Sequence, residues 1–274
     1  MFFHQKELQF HAKPERPDPV YAKKLQEILG GQFGEISVAM QYLFQGWNAR
    51  GDEKYKDLIM DTGTEELGHV EMIATMIARL LDDAPINEQE KASEDPVIGA
   101  IMGGMNPHHA IVSGLGAMPE NSTGVPWNAG YIVASGNLLS DFRANLNAES
   151  QGRLQVARLY EMTEDKGVKE MLSFLLARDT MHQNQWIAAI KELEEKYGTT
   201  VPATVPADWE ATDFSYDFLN FSDGEHSKKG NWTSGKTPDG NGDFGYVKKP
   251  EAYGGKQELK PAPAYVHGIP PLED

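Results

Sequence analysis

Glu66 and His69 stand three residues apart in Thr64-Glu65-Glu66-Leu67-Gly68-His69, within a stretch whose apolar rhythm is helical. On a helix this spacing sets a carboxylate and an imidazole on one face, one turn apart, where together they can chelate a metal. Glu-x-x-His is common on solvated helix surfaces, so the pair carries little weight by itself. Glu35, Glu149 and His182 change that, because each falls near or just past the middle of a different helical pattern. Four helices then offer polar ligands at one level, where the core of a bundle would otherwise be apolar. Three carboxylates buried together cost several kcal/mol per charge. A dinuclear metal centre removes that cost.

Four helices must position these residues. The first starts at Asp18-Pro19, a carboxylate N-cap followed by proline at the first helical position. It carries Leu25, Ile28, Leu29, Ile36, Met40, Leu43, Phe44 and Trp47 as far as Arg50-Gly51, roughly 30 residues by pattern. Gly30, Gly31 and Gly34 would each weaken it by about 1 kcal/mol relative to alanine, which predicts close approach of another helix. Asp52 caps the second helix, whose pattern runs from Tyr55 to Leu81. A short connection makes these two antiparallel neighbours.

Residues 84–126 break every periodic run with Gly103-Gly104, Asn106-Pro107 and Gly124-Val125-Pro126. So long a connection is unusual in a compact domain; a crossover along the bundle accounts for it and makes the third helix parallel to the second. That helix is expected from Trp127-Asn128 to about Met162, and a fourth, after a break near 163–167, to Gly198. Two helices, a crossover and two helices describe an all-α, ferritin-like four-helix bundle over 18–198. An extended N-terminal arm (1–17) precedes it. The irregular C-terminal tail (199–274) is rich in proline, glycine and aspartate but carries Trp209, Phe214, Tyr216, Phe221, Trp232 and Tyr253. Solvated linkers are poor in aromatics, so the tail is expected to wrap the bundle or a neighbouring subunit, with some short strands.

A formal net charge of −16 over 274 residues argues against nucleic acid or an anionic membrane as partner. With no cysteine, thiolate metal sites and thiol redox chemistry are excluded. No stretch is apolar enough to span a bilayer, and the opening residues lack a signal-peptide pattern, so the expected location is cytoplasmic.

Ferritin-like dimetal sites use one glutamate from each of two helices and Glu-x-x-His from each of the other two. Glu35 and Glu149 serve as the single glutamates and Glu66/His69 as one pair. The second pair reads Asp179-Thr180-Met181-His182, its carboxylate a methylene short. The economical set is therefore Glu35, Glu66, His69, Glu149 and His182. Hard carboxylates with two imidazoles suit iron or manganese.

These residues, with Gly34-Glu35, Ala148-Glu149-Ser150, Arg158-Leu159-Tyr160-Glu161-Met162 and Ala177-Arg178-Asp179-Thr180-Met181-His182, resemble the non-haem manganese catalases over nearly the whole chain. The resemblance implies disproportionation of hydrogen peroxide to dioxygen and water at two manganese ions per subunit. Glu66 would bridge the ions, Glu35 and His69 would complete one site, and Glu149 and His182 the other. A homohexamer is also implied.

Among catalytic candidates, Tyr42 lies two turns beyond Glu35 on the same face, as a tyrosine does over the site of relatives; spacing alone fits a core tyrosine equally well. Asp179 falls where some relatives carry a proton-accepting glutamate. Arg153 is a candidate substitute for an arginine that some relatives carry where Ala148 stands here, although an ordinary Glu149–Arg153 helix pair reads the same. Asp57 and Asp61, on another face of the second helix, match the calcium-binding pair of some relatives, with Asn220, Ser222 and Gly224 as tail ligands; oxygen-only donors suit calcium. His108-His109 is expected to pack or lie on the surface. Two rivals remain, an iron-oxidising or storage protein of ferritin type and a mainly structural protein of the spore coat.

Overall fold

Asp18 opens the first helix as its sequence predicts, its carboxylate accepting from Tyr21 N at 2.8 Å with Pro19 next. The structure, a computed structural model, describes residues 3–83, 104–206, 208–256, 258–260 and 263–267. The single first helix expected from the periodicity is two: α1 (Pro19–Gly30) and α2 (Glu35–Asn48). The glycines between them are the cause. Gly31 ends α1 in extended backbone, and Gly34 starts α2 so close to Ile28 and Leu29 that a Cβ would lie 2.9 Å from their backbone. Gly30 is tolerated for a related reason: it faces the backbone of Glu120 in the crossover, 2.5 Å from where a Cβ would stand. The close neighbour is thus a loop, where the sequence suggested a helix.

Helix α3 (Glu53–Leu81) starts on Asp52, which accepts from Lys54 N, and packs along α2. Of the expected crossover, residues 84–103 lie outside the described residues; the remainder holds the short helix α4 (Pro107–Ile111). The third long helix, α5 (Leu138–Glu161), begins later than its apolar pattern suggests. Residues 132–136 find their hydrogen bonds elsewhere: Val133 N donates to Gln41 Oε1 at 2.8 Å, Gln45 Nε2 donates to Val133 O at 2.7 Å, and Asp141 accepts from Ser135 N at 2.8 Å. With its backbone already satisfied by side chains, this segment has no need of helix. Helix α6 (Lys166–Tyr197) is capped by Asp165 and stopped by Gly198 at φ 91°.

Two apolar clusters fill the bundle. One joins Leu25 and Ile28 of α1, Met72, Ile73 and Ile77 of α3, Val156 of α5 and Leu172 and Leu175 of α6. The other joins Val38 and Tyr42 of α2, Tyr55 and Ile59 of α3, Phe142 of α5 and Trp186 of α6. The N-terminal halves of α3 and α5 share one cluster and their C-terminal halves the other, so the two helices run parallel. Helix α6 spans the clusters in the opposite order and is antiparallel to both. Each large side chain buried here contributes about 1.5–3 kcal/mol.

The chain divides into two units, Met1–Val201 and Pro202–Asp274. In the second, β1 (Asp217–Asn220) and β2 (Gly245–Lys248) form a parallel pair, with Phe218 stacked on Tyr246 at 5.8 Å.

The crossover is held against α1 by buried polar groups. Gln26 Nε2 donates to Met118 O (2.6 Å) and Glu120 O (2.8 Å), and its Oε1 accepts from Met118 N (3.0 Å) and lies 3.1 Å from Nε2 of the fully buried His109. Burial pushes the pKa of the His109 imidazole down; Glu120 opposes this, and His108 and Lys23 add to it. The unfolded chain therefore takes up this proton first as pH falls. The contribution of neutral His109 is complete above the usual histidine pKa of about 6.5 and is lost below it. In thermal unfolding across that range, the wild-type chain is expected to lose more stability on acidification than His109→Gln. Equal losses would show that the histidine does not carry the effect.

Candidate metal centre

Between the two apolar clusters lies one polar layer. Glu35 is the first residue of α2, while Glu66 and His69, Glu149, and His182 sit in the middle turns of α3, α5 and α6; all five are buried. They form two groups that share Glu66: Glu35, Glu66 and His69, and Glu66, Glu149 and His182, with ligand atoms within 4.8 Å of one another in each. The sharing is atomic. Glu66 Oε2 lies 2.6 Å from His69 Nδ1, and Glu66 Oε1 lies 2.8 Å from His182 Nδ1. Each imidazole also approaches the second carboxylate of its group at 3.6 Å, His69 toward Glu35 and His182 toward Glu149. Donors around one ion with bonds of about 2.1 Å stand about 3 Å apart, so the spacing suits one cation in each group.

Orphaned atoms make the same point. Glu66 Oε1 and His182 Nδ1 are buried without a hydrogen-bond partner despite their proximity, because the approach is off the line a hydrogen bond needs. Unsatisfied buried donors and acceptors are rare unless a ligand takes them. Oxygen and imidazole donors of this kind fit manganese or iron.

The electrostatics of the protein groups alone describe a layer that needs cations. Burial, followed by repulsion from Glu66, pushes the carboxyls of Glu35 and Glu149 above their ordinary range. Burial also works against charge on Glu66, yet His69 and His182 outweigh it and hold Glu66 low. In turn burial favours neutral imidazoles, but the carboxylates around His69 and His182 raise both. Without metal, protons shared among carboxylates and imidazoles keep the layer balanced; bound cations take over that task.

Tyr42 reaches this layer: its hydroxyl donates to Glu149 Oε1, and its ring lies 5.2 Å from that of Trp186. Burial and the charges of Glu149 and Glu66 raise its pKa well above the ordinary tyrosine value. Asp179 is buried with Oδ2 unpartnered. Burial, then Glu149 and Glu66, push its carboxyl up to about 8. Arg153 stands half-buried one turn past Glu149 and makes no ion pair with it, since Glu149 faces Tyr42 and His182.

Asp57 and Asp61 are exposed on α3 and make no ion pair among the described residues. In the second unit, Asn220 Oδ1 accepts from Ser222 N and its Nδ2 donates to Gly224 O, both at 2.9 Å, folding these three residues into one tight turn. His108 and His109 serve packing: His108 Nδ1 lies 3.1 Å from Glu120 Oε2, and His109 meets Gln26.

One carboxylate had no role in the sequence reading. Glu65 lies behind both imidazoles, 3.2 Å from His182 Nε2 and 3.7 Å from His69 Nε2, and is held by Arg178 Nε at 2.5 Å and Nη2 at 3.2 Å. Burial is outweighed by His182 and Arg178, which bring its pKa down to about 2. A carboxylate on the far nitrogen of a metal-bound histidine fixes the ring's orientation and tautomer. Its i, i+4 spacing to His69 was the available signal.

A profile of the family described as manganese containing catalase matches residues 1–271. The chain is similar to a manganese catalase of Bacillus subtilis, 74% identical over 271 residues and covering 99% of each chain. It is also similar to a manganese catalase of Lactiplantibacillus plantarum, 51% identical over 267 residues, 97% of this chain and 98% of that one. The crystal structure of KatB, a manganese catalase from Anabaena, matches with a TM-score of 0.71 at 28% identity, covering 91% of this chain and 100% of that one.

Replacing Glu65 by glutamine keeps its shape and removes its charge. Metal affinity is expected to fall by about 10–100-fold, read by competition with a chelator. Unchanged affinity would mean that the carboxylate behind the imidazoles does not tune the centre.

Proposed function

The chain belongs to the manganese-containing catalases and disproportionates hydrogen peroxide to dioxygen and water; we propose that it does so at two manganese ions per subunit, held by Glu35, Glu66, His69, Glu149 and His182. The observation that carries this reading is the pair of buried ligand groups sharing the two oxygens of Glu66. When bound, the manganese pair stores two electrons, so that one peroxide is oxidised and the next reduced without release of a one-electron radical.

The protein's own groups arrange and protonate the substrate. Glu66 fixes the spacing of the two halves through one oxygen for each. Tyr42 holds Glu149 by Oε1 and leaves Oε2 on the His182 side. Asp179 is the proton carrier of this reading: its carboxyl is buried with Oδ2 unpartnered, so it can accept a proton and give it back. Its arm is one methylene shorter than the glutamate that some relatives carry there. Arg153, free of the Glu149 pair, supplies positive charge near the site. The apolar clusters on either side keep bulk water from the ligands.

Further features of the reading follow the family resemblance: a homohexamer, a cytoplasmic location, and calcium at the Asp57 and Asp61 carboxylates. The oxygen-only chemistry of that set supports calcium. Among the described residues no helix is long and apolar enough to cross a membrane. The catalase reading is favoured over the ferritin-type and spore-coat readings by the relatives named above.

The test is to quantify bound manganese and iron while measuring dioxygen evolved on adding peroxide. Manganese and rapid oxygen release are expected, with His182→Ala losing one metal and nearly all turnover while its helical circular dichroism is retained. A manganese-loaded protein that evolves no oxygen would sink the reading.

A further inference from the structure

The N-terminal arm takes no part in the chemistry above, yet it is fastened across the histidine side of the centre. Gln9 Nε2 donates to the backbone carbonyl of Glu65 at 2.9 Å. In a helix that carbonyl is the partner of the His69 N–H, so the arm grips the turn that carries Glu65, Glu66 and His69. Gly68 gives it room: a Cβ there would lie 2.0 Å from the Gln9 amide nitrogen.

The next residue continues the contact. Phe10 stacks on Phe174 of α6, centroids 4.9 Å apart and planes at 15°, and Phe174 meets the His69 ring edge-on at 6.3 Å and 89°. Phe174 is thus held between the arm and a ligand. Farther along, Arg79 donates to Ala12 O, the backbone of Lys13 lies against Gly167, and Glu15 N donates to Asp165 Oδ2 at 2.7 Å. These anchors fix the strap at the far end and leave Gln9 and Phe10 as its contacts with the centre.

We propose that Gln9 and Phe10 are positioning residues for the metal centre, closing its His69 face and slowing the release of manganese. The proposal rests on the two-manganese reading. Neither residue reaches a ligand atom; they act through the Glu65 carbonyl and the Phe174 ring. A histidine whose ring is clamped from behind stays aligned with its ion, and a ring free to turn lets go of it.

The experiment uses the manganese-loaded full chain in its native assembly, challenged with excess EDTA, the manganese remaining being measured over time. Phe10→Ala and Gln9→Ala are expected to lose manganese on the order of 10-fold faster than wild type. Phe10→Tyr, which keeps the stack, should restore slow release. Leu81→Ala thins the apolar core at the far end of α3; it should lower the melting temperature without speeding release. Should Phe10→Ala fail to fold, Gln9→Ala, which removes one hydrogen bond, carries the test. Wild-type release rates in the arm variants, or release by Leu81→Ala as fast as theirs at a matched melting temperature, would overturn the proposal. A wild-type protein that holds no manganese would overturn the underlying reading and the proposal with it.

Discussion

Everything in the bundle answers to one carboxylate. Glu66 is buried between two imidazoles, 2.6 Å from one and 2.8 Å from the other, with two further glutamates at the edges of the same layer. So many ionisable groups in an apolar interior are costly unless cations join them. The remainder of the fold bears on that layer. Two hydrophobic clusters enclose it, α3 and α6 deliver the histidines, and Glu65 with Arg178 braces the rings from behind.

Helix order and the residues of the buried polar layer were legible in the sequence because both follow local rules. Asp18, Asp52 and Gly198 mark ends by capping chemistry, and Glu66, His69, Glu149 and His182 stand in the middle turns of their helices, while Glu35, expected near the middle of one long helix, heads α2. What periodicity missed depends on contacts far apart in sequence. The break at Gly31–Gly34 leaves the apolar rhythm intact, so pattern alone joined α1 to α2. The late start of α5 was hidden because Gln41 and Gln45, some ninety residues earlier, take up the backbone at Val133. Glu65 was quoted with its motif but given no role, since nothing local says that Arg178 of α6 reaches it.

The outer groups divide by distance from the ligands. Tyr42 touches one directly and Asp179, buried, feels the charges of Glu149 and Glu66, so changes at either alter the electrostatics felt by the centre. Arg178 and the arm act one contact farther out, through Glu65 and Phe174. The −16 charge of the chain lies mostly outside this layer and leaves a neutral peroxide indifferent to it. The chemistry therefore depends on a few buried groups, and the rest of the bundle on keeping them aligned.

The central claim, that Glu66 joins two metal positions, is tested most directly by anomalous diffraction at the manganese absorption edge from crystals of the manganese-loaded protein. Two peaks per subunit are expected, one between Glu35, Glu66 and His69 and one between Glu66, Glu149 and His182. A single peak, or peaks away from the Glu66 carboxylate, would contradict the account.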